Sequence, residues 1–290
     1  MYADLIRTLT PDGMRLDGAL LAGDELAERP VDAAICLHGV GANFYTSSTL
    51  EAVAPALRKL GISVLLANTR GHDSVYTASV AMGRRRQGAA VEIVDECRHD
   101  VAGWCKFLVA RDLSRILLVG HSLGAIKAVY SQAHEPHSSI VGLIAASPPR
   151  LSCQAFKNSL ESAPFFDSLS TAEQLVKAGR GDELFLAKFP FPLLMGAAAY
   201  IDKYGPGERY NILDFAGQVT VPALFTYGSK ELENGGIAFA GLPDALAKLP
   251  EKRSTLDIEV IDGADHNYSG CSENLAAAMS TWIEKTYLPQ

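Results

Sequence analysis

Cysteine is scarce in this sequence, and its positions show no pairing pattern. The 290 residues include five cysteines, an odd number, and no two of them form a C-x-x-C motif. The disulfide frameworks of secreted domains use even numbers of closely spaced cysteines, so the spacing found here argues against one. We expect reduced, mostly buried thiols of a cytoplasmic protein at Cys36, Cys97, Cys105, Cys153 and Cys271.

Long apolar runs and a concentration of basic residues are missing as well. No apolar run approaches the length of about 18 residues that spans a bilayer. The N-terminus lacks the charged and apolar regions of a signal peptide, so no membrane association is expected. The net charge is −7, from 26 basic and 33 acidic residues. Because nucleic-acid binding requires a concentrated basic face, no nucleic-acid partner is expected either.

The longest basic block is the run Arg84, Arg85 and Arg86. It falls in a long segment, residues 73–88, that we interpret as a loop close to the functional site. A solvated surface loop is one interpretation of the three side chains. A site for an anionic substrate group is the other.

Short β-rich segments alternate with longer amphipathic segments through most of the chain. The segments 33–37, 62–67 and 140–146 are apolar without polar alternation, as expected of strands that are buried on both faces of a sheet. Residues 49–60 place apolar side chains at helical spacing, and Gly61 then suits a left-handed helix end. This alternation predicts an α/β fold with parallel strands joined by helices. Further strands are predicted at 116–119, 221–227 and 256–261, and further helices at 93–111 and 274–287.

The pattern changes between Pro148 and Val219. Aromatic residues cluster there, and serine-rich and proline-rich pieces flank helix-like pieces without a convincing strand. We interpret such an insertion between two strands of a parallel sheet as a helical cap, or lid. The predicted organisation is a core formed by residues 1–148 and 220–290, with the cap at 149–219.

Residues 120–124 carry the most informative motif, Gly-His-Ser-Leu-Gly, which matches the pattern G-x-S-x-G. They follow the predicted strand 116–119 and precede a helix-like segment. Strand, G-x-S-x-G and helix in this order are typical of a nucleophile elbow. The turn at the serine is so tight that the residues two positions away on either side must lack side chains. Ser122 is therefore the candidate nucleophile.

A serine nucleophile needs a base that takes its proton and an acid that orients the base. His266 is the candidate base, because it is the only one of seven histidines that lies after the last predicted strand and before the final helix. Glu231 is the candidate acid, because it follows the predicted strand 221–227 and Gly228 by three residues. Glu233 is the local alternative.

Acyl transfer also needs backbone donors for the negative charge that develops on the substrate oxygen. The segment 37–43 leaves the first buried strand and contains two glycines, which allow the backbone to approach a substrate closely. The amide of Val40 is the proposed first donor, with Gly39 as the alternative. The amide of Leu123, directly after the nucleophile, is the second.

Together these motifs resemble those of the α/β-hydrolase superfamily, and they occur in the order of that family over nearly the whole chain apart from the cap. The resemblance rests on His38-Gly39, Arg70-Gly71-His72, Gly120-His121-Ser122-Leu123-Gly124, Gly228-Ser229-Lys230-Glu231 and Gly263-Ala264-Asp265-His266. It implies a mostly parallel eight-stranded sheet with helices on both faces and the active site at the carboxyl ends of the strands. It further implies Ser122 as nucleophile, His266 as base and Glu231 as acid, and a structural role for the turn at Arg70.

The leading functional expectation is an esterase-like or lipase-like serine hydrolase that cleaves a small-molecule carboxylic ester through an acyl-enzyme on Ser122. Amidase, thioesterase, peptidase, acyltransferase and C–C bond hydrolase use the same set of residues and stay open. A non-catalytic small-molecule receptor on the same fold is the alternative of another class. No metal and no cofactor are expected, and the sequence indicates neither the natural substrate nor the oligomeric state.

Overall fold

Strands and helices alternate along most of the chain. A computed structural model of the protein describes residues 3–25, 28–159 and 162–288. The strands are β1 (Asp4–Leu9), β2 (Arg15–Leu21), β3 (Ala33–Leu37), β4 (Ser63–Ala67), β5 (Tyr76–Val80), β6 (Gly83–Gln87), β7 (Ile116–His121), β8 (Ile140–Ala146), β9 (Leu184–Ala187), β10 (Leu193–Gly196), β11 (Ala223–Gly228) and β12 (Leu256–Ile261). The α-helices are α1 (Ser48–Lys59), α2 (Cys97–Val109), α3 (Leu123–His134), α4 (Cys153–Lys157), α5 (Ala163–Lys177), α6 (Ala197–Tyr204), α7 (Ser229–Asn234), α8 (Leu242–Ala247) and α9 (Ser272–Tyr287).

Eight of the strands form one sheet in the order β1-β2-β4-β3-β7-β8-β11-β12. The pairs β1–β2 and β2–β4 are antiparallel, and every later pair in this order is parallel. The expected mostly parallel eight-stranded sheet of an α/β-hydrolase fold is thereby confirmed.

Helices cover both faces of this sheet, which explains why the central strands lack polar alternation. Ile35 and Leu118 pack on one face with side chains of α2 and α3. The residues that follow them along the chain, Cys36 and Val119, pack on the opposite face with side chains of α1 and α9. Successive side chains of a strand point to opposite faces, so a strand buried on both must be apolar throughout.

The parallel strands bring four loops to one edge of the sheet. The loop after β3, the turn between β7 and α3, the turn between β11 and α7, and the loop after β12 all leave the carboxyl ends of neighbouring strands. Ligand sites of open α/β sheets lie at this edge. The four candidate parts of the site therefore meet although they are far apart in sequence.

The segment 149–219 lies between β8 and β11, and its described residues, 149–159 and 162–219, contain the α-helices α4, α5 and α6. It also contains β9 and β10, which pair antiparallel as a separate two-stranded sheet. The expectation of no strand in this segment was therefore wrong. Each of the two strands is only four residues long, too short to show an alternating pattern in the sequence.

Two further β-hairpins were not predicted from the sequence. The strands β1 and β2 form the first, at the edge of the main sheet. The strands β5 and β6 form the second, within the segment 73–88 that was interpreted as a loop. Residues 83–86 of β6 are exposed, so no apolar side chain marks this strand in the sequence.

Arg70, in the turn after β4, carries a buried charge. Its Nε donates a hydrogen bond to Asp100 at 2.9 Å, and its Nη1 donates to Asp12 at 3.1 Å and to Glu96 at 2.8 Å. Although burial lowers the pKa of Arg70, Asp100, Asp12 and Glu96 raise it above its usual range. The turn is thus tied to α2 by charge, which is a structural role.

Four of the five cysteines are buried, and Cys271 is partly buried; all five are free thiols. No helix among the described residues has the length and apolar character that crossing a membrane requires.

Candidate active site

Ser122 lies at the turn between β7 and α3 in a strained backbone conformation, with φ of 57° and ψ of −123°. Positive φ is uncommon for a residue with a side chain and costs on the order of 1–3 kcal/mol. The flanking glycines are required by close packing. A Cβ at Gly120 would lie 2.2 Å from the carbonyl oxygen of Gly124, and a Cβ at Gly124 would lie 2.2 Å from that of Leu37.

His266 lies in the loop between β12 and α9 and contacts Ser122 directly. Its Nε2 is 3.0 Å from the Oγ of Ser122, and its Nδ1 is 2.5 Å from Oε1 of Glu231. Because a carboxylate only accepts, Nδ1 carries the proton and Nε2 of the neutral ring is free to accept one from Ser122. The structure thus brings the three candidate side chains into one hydrogen-bonded row.

His121, the second residue of the Gly-His-Ser-Leu-Gly motif, contacts the loop that carries His266. Its Nε2 donates to the backbone carbonyl of His266 at 2.8 Å. Burial is the main cause that lowers the pKa of His121 to about 4. The ring is therefore neutral at physiological pH, and its contribution is to position the loop.

Glu231 is buried, and each of its carboxylate oxygens has partners. Oε1 accepts from His266, and Oε2 accepts from the hydroxyl of Ser147 at 2.7 Å and from the amide of Gly228 at 3.2 Å. The hydroxyl of Tyr268 lies 2.9 Å from that of Ser147. Sequence reasoning missed Ser147 and Tyr268, since no motif marks either residue.

Glu233, the alternative acid, lies two residues after Glu231 in α7, and its side chain is exposed. The backbone amides of Lys230 and Glu231 both donate to the carbonyl of Ala264, at 3.0 Å and 3.3 Å, which joins the start of α7 to the loop of His266. This contact brings Glu231, and not Glu233, to the histidine.

The two amides considered as oxyanion donors flank Ser122. Val40 follows β3, Leu123 begins α3, and both residues line the cavity at Ser122. Neither amide has a hydrogen-bond partner within the described parts of the chain. Gly39, the alternative, lies so close that a Cβ on it would be 3.3 Å from Cβ of Ser122.

His38, directly before these residues, is fully buried and braces the loop. Its Nδ1 donates to the carbonyl of Gly39 at 2.8 Å, and its Nε2 accepts from the amide of Thr69 at 3.2 Å. Burial, with a smaller contribution from Lys127, lowers the pKa of His38 to about 3. The ring is neutral and holds the Gly39–Val40 backbone in place.

A cavity of about 540 Å³ opens over Ser122 beneath segment 149–219. Phe156, Phe165 and Phe189 line it, and their ring centroids lie 4.7–5.3 Å apart. The same phenylalanines therefore serve both the packing of the segment and the wall of the cavity. We refer to this space as the apolar cavity.

The three arginines of β6 do not contribute to this cavity. All three are exposed, and none of them lines the cavity at Ser122. Arg86 donates to the backbone carbonyl of Asp182 at 2.7 Å, which links the β5–β6 hairpin to segment 149–219. The interpretation as a site for an anionic substrate group therefore receives no support from the geometry, and the exposed position agrees with the surface interpretation.

Within residues 3–25, 28–159 and 162–288, no group of three or more histidine, cysteine, aspartate or glutamate side chains is placed to hold a metal ion.

Residues 34–278 match the model of the Alpha/beta hydrolase family, whereas no curated protein sequence matches the chain. DcsB, solved in complex with its substrate analogue, shares 14% identity at a TM-score of 0.72, with 99% of this chain and 100% of that chain covered. Est1E from Butyrivibrio proteoclasticus, solved with ferulic acid bound, shares 17% identity at a TM-score of 0.65, with 96% and 98% covered. The Pyrococcus furiosus esterase PF2001 shares 15% identity at a TM-score of 0.63, with 99% and 92% covered. At these identities the likeness shows the fold.

Proposed function

The chain belongs to the alpha/beta hydrolase family, and we propose that it is a serine hydrolase that cleaves carboxylic esters through an acyl-enzyme on Ser122. The observation that carries the proposal is the row of hydrogen bonds from Ser122 through His266 to the buried Glu231, at 3.0 Å and 2.5 Å. A buried carboxylate stabilises the imidazolium that forms when the histidine accepts a proton.

The first half of the reaction forms the acyl-enzyme. As Oγ of Ser122 attacks the ester carbonyl carbon, its proton passes to Nε2 of His266. The free amides of Val40 and Leu123 donate to the carbonyl oxygen as it becomes negative. The bond between the carbonyl carbon and the alcohol oxygen then breaks, and the alcohol leaves with the proton of His266.

The second half releases the acid. Water takes the place of the alcohol and gives a proton to Nε2 of His266 as it attacks the acyl carbon. The bond to Oγ breaks, Ser122 regains its proton from His266, and the carboxylic acid leaves. The same base thus serves both halves, and no metal or cofactor takes part in the proposed steps.

The apolar cavity supports an apolar or aromatic group on the substrate. Its wall contains Phe156, Phe165 and Phe189 together with Leu151 and Ile237. Est1E, which shares the fold, has been solved with ferulic acid bound. An ester of an aromatic or long-chain acid is therefore the first substrate class to test.

Hydrolysis of p-nitrophenyl esters of increasing chain length tests the proposal. The wild-type protein is expected to turn over at least one of them, and Ser122→Ala to lose this activity while it stays folded. Ser170→Ala, which removes an exposed hydroxyl on α5, serves as the matched control and retains activity. A fluorophosphonate adduct mapped by mass spectrometry to any residue other than Ser122, or unchanged turnover in Ser122→Ala, would overturn the proposal.

A further inference from the structure

Ser122 lies between two cavities of different chemistry. The apolar cavity is on one side, and a second cavity of about 270 Å³ is on the other. Ser122, Val40, Phe191 and His266 line both of them. A substrate whose scissile bond lies at Ser122 therefore extends one end into each cavity.

Five of the residues that line the second cavity, which we call the polar pocket, carry a hydroxyl group. The wall includes four consecutive residues, Thr46, Ser47, Ser48 and Thr49, at the start of α1, and Asn267 beside His266. None of the residues that line the polar pocket, all of them in the described part of the chain, is a lysine, arginine, aspartate or glutamate. The pocket therefore suits a neutral group that forms hydrogen bonds.

Two of these hydroxyls already have partners in the protein, and two do not. Oγ1 of Thr46 accepts from the amide of Asn43 at 3.0 Å, and Oγ1 of Thr49 donates to the carbonyl of Asn267 at 3.1 Å.

Ser47 is only 8% exposed, yet its hydroxyl neither caps α1 nor bonds to any other described residue. Because Ser47 lines the polar pocket, its hydroxyl is free to form a hydrogen bond with a ligand there.

The backbone at the start of α1 provides further donors in the same wall. The amides of Ser48 and Thr49 have no hydrogen-bond partner among the described residues, as is usual for the first turn of a helix. These donors and the helix dipole favour an oxygen acceptor. The wall thus offers hydroxyls and amides side by side, which matches a group that carries several oxygens.

We propose that the polar pocket binds the alcohol half of the ester and that this alcohol is a small polyol of about the size of glycerol. The inference rests on the esterase function proposed above. The acid stays bound to Ser122 while water enters from the side that the alcohol has left. We assign the polar pocket to that side, because its wall offers hydroxyl groups to a polyol and to the water that replaces it, and Thr46 and Ser48 on this wall are exposed to solvent.

The test compares two esters of 3-phenylpropanoic acid, the 2,3-dihydroxypropyl ester and the propyl ester, which differ only in two hydroxyls. For the wild-type protein, kcat/KM is expected to be at least about tenfold higher for the dihydroxypropyl ester, because each hydrogen bond gained contributes modestly. Ser47→Ala and Ser48→Ala are each expected to lower the ratio of the two kcat/KM values roughly fivefold. Ser170→Ala is the control and leaves the ratio unchanged, and the Tm of each variant shows that it is folded.

Two results would overturn the proposal. The first is an equal kcat/KM for the two esters, or a ratio that neither Ser47→Ala nor Ser48→Ala changes. The second is faster turnover of the reversed ester, 3-phenylpropyl 2,3-dihydroxypropanoate, which would put the polar half on the acid side.

Binding separates this inference from the proposed reaction. Each of the two esters is replaced by the ketone that has the same end groups. The two ketones are titrated into the Ser122→Ala protein, and calorimetry measures their affinities. Tighter binding of the dihydroxy ketone, lost when Ser47→Ala is added, supports the polar pocket even if no ester is turned over; in that case only the esterase proposal fails. Equal affinities for the two ketones overturn the polar pocket whatever the activity.

Discussion

Ser147 and Glu231 form a buried hydrogen bond across 84 residues of sequence, with Oγ of Ser147 2.7 Å from Oε2 of Glu231. Ser147 follows β8 with φ of 50°, and its amide donates to the carbonyl of Thr226 in β11 at 2.8 Å. The pairing of β8 with β11 thus places the hydroxyl at the carboxylate. With Oε2 held in this way, Oε1 faces His266.

Replacing Ser147 by alanine is expected to lower kcat for ester hydrolysis about tenfold or more, because a hydrogen bond to a charged group contributes roughly 1.5–3 kcal/mol. KM should stay close to the wild-type value, since Ser147 does not line the apolar cavity. Steady-state kinetics on one ester measures both constants. An effect confined to KM would contradict a role in positioning Glu231.

The acid of the proposed triad is tested by Glu231→Gln, with Glu233→Gln as its matched control. Glutamine cannot offer a negative charge to the imidazolium, so we expect kcat of Glu231→Gln to fall by at least about 100-fold. Glu233 is exposed, and its substitution should change kcat little. A larger loss in Glu233→Gln than in Glu231→Gln would reverse the assignment.

The places of Ser122, Glu231 and His266 could be predicted because each follows a strand and each lies in a short local pattern. Parallel pairing then brings the carboxyl ends of those strands to one edge, so that order along the chain translates into proximity. The fold class followed from the same alternation of apolar strands and amphipathic helices.

What the sequence did not reveal depends on contacts between distant residues or on strands without an apolar pattern. Ser147 reaches Glu231 only because β8 pairs with β11. Strand β6 carries three exposed arginines, so its pairing with β5 leaves no apolar alternation to read. Likewise, Ser47 is recognised as part of a pocket only once the structure shows that the start of α1 lies beside Ser122.

Segment 149–219 is joined to the core by a buried cluster of three charges. Glu92 forms ion pairs with Lys127 of α3 and with Lys203 of α6, the latter at 3.6 Å, and all three side chains are fully buried. Burial raises the pKa of Glu92, but the attraction of Lys127 and Lys203 outweighs burial and holds this pKa below its usual value.

We expect Glu92→Gln to lower the free energy of unfolding by about 3–5 kcal/mol, because it leaves two buried ammonium groups without a counter-charge. Lys203→Met should be close to neutral or stabilising, since the pair of Glu92 and Lys127 stays intact and burial already lowers the pKa of Lys203. Urea denaturation of the two variants measures the difference. Equal losses in both would show that Lys203 is as necessary to the fold as Glu92.

The buried histidines His38 and His121 make stability depend on pH. Their pKa values in the folded protein are about 3 and about 4, below the ordinary 6.5, chiefly because burial disfavours the charged ring. As the pH falls below about 6.5, the unfolded chain therefore takes up protons that the folded chain does not. The stability that these neutral rings contribute is complete above that pH. It is lost as the pH falls toward 4 for His121 and toward 3 for His38.

Between pH 6 and pH 4.5 the free energy of unfolding should fall by about 1.4 kcal/mol per pH unit for each of the two histidines. Urea denaturation at several pH values measures this slope. His121→Gln keeps a donor for the carbonyl of His266 but cannot titrate. The fall in its free energy of unfolding per pH unit should therefore be smaller than that of the wild-type protein by the contribution of one histidine. If His121→Gln and the wild-type protein lose stability in parallel as the pH falls, the buried neutral state of His121 is not what sets the acid sensitivity.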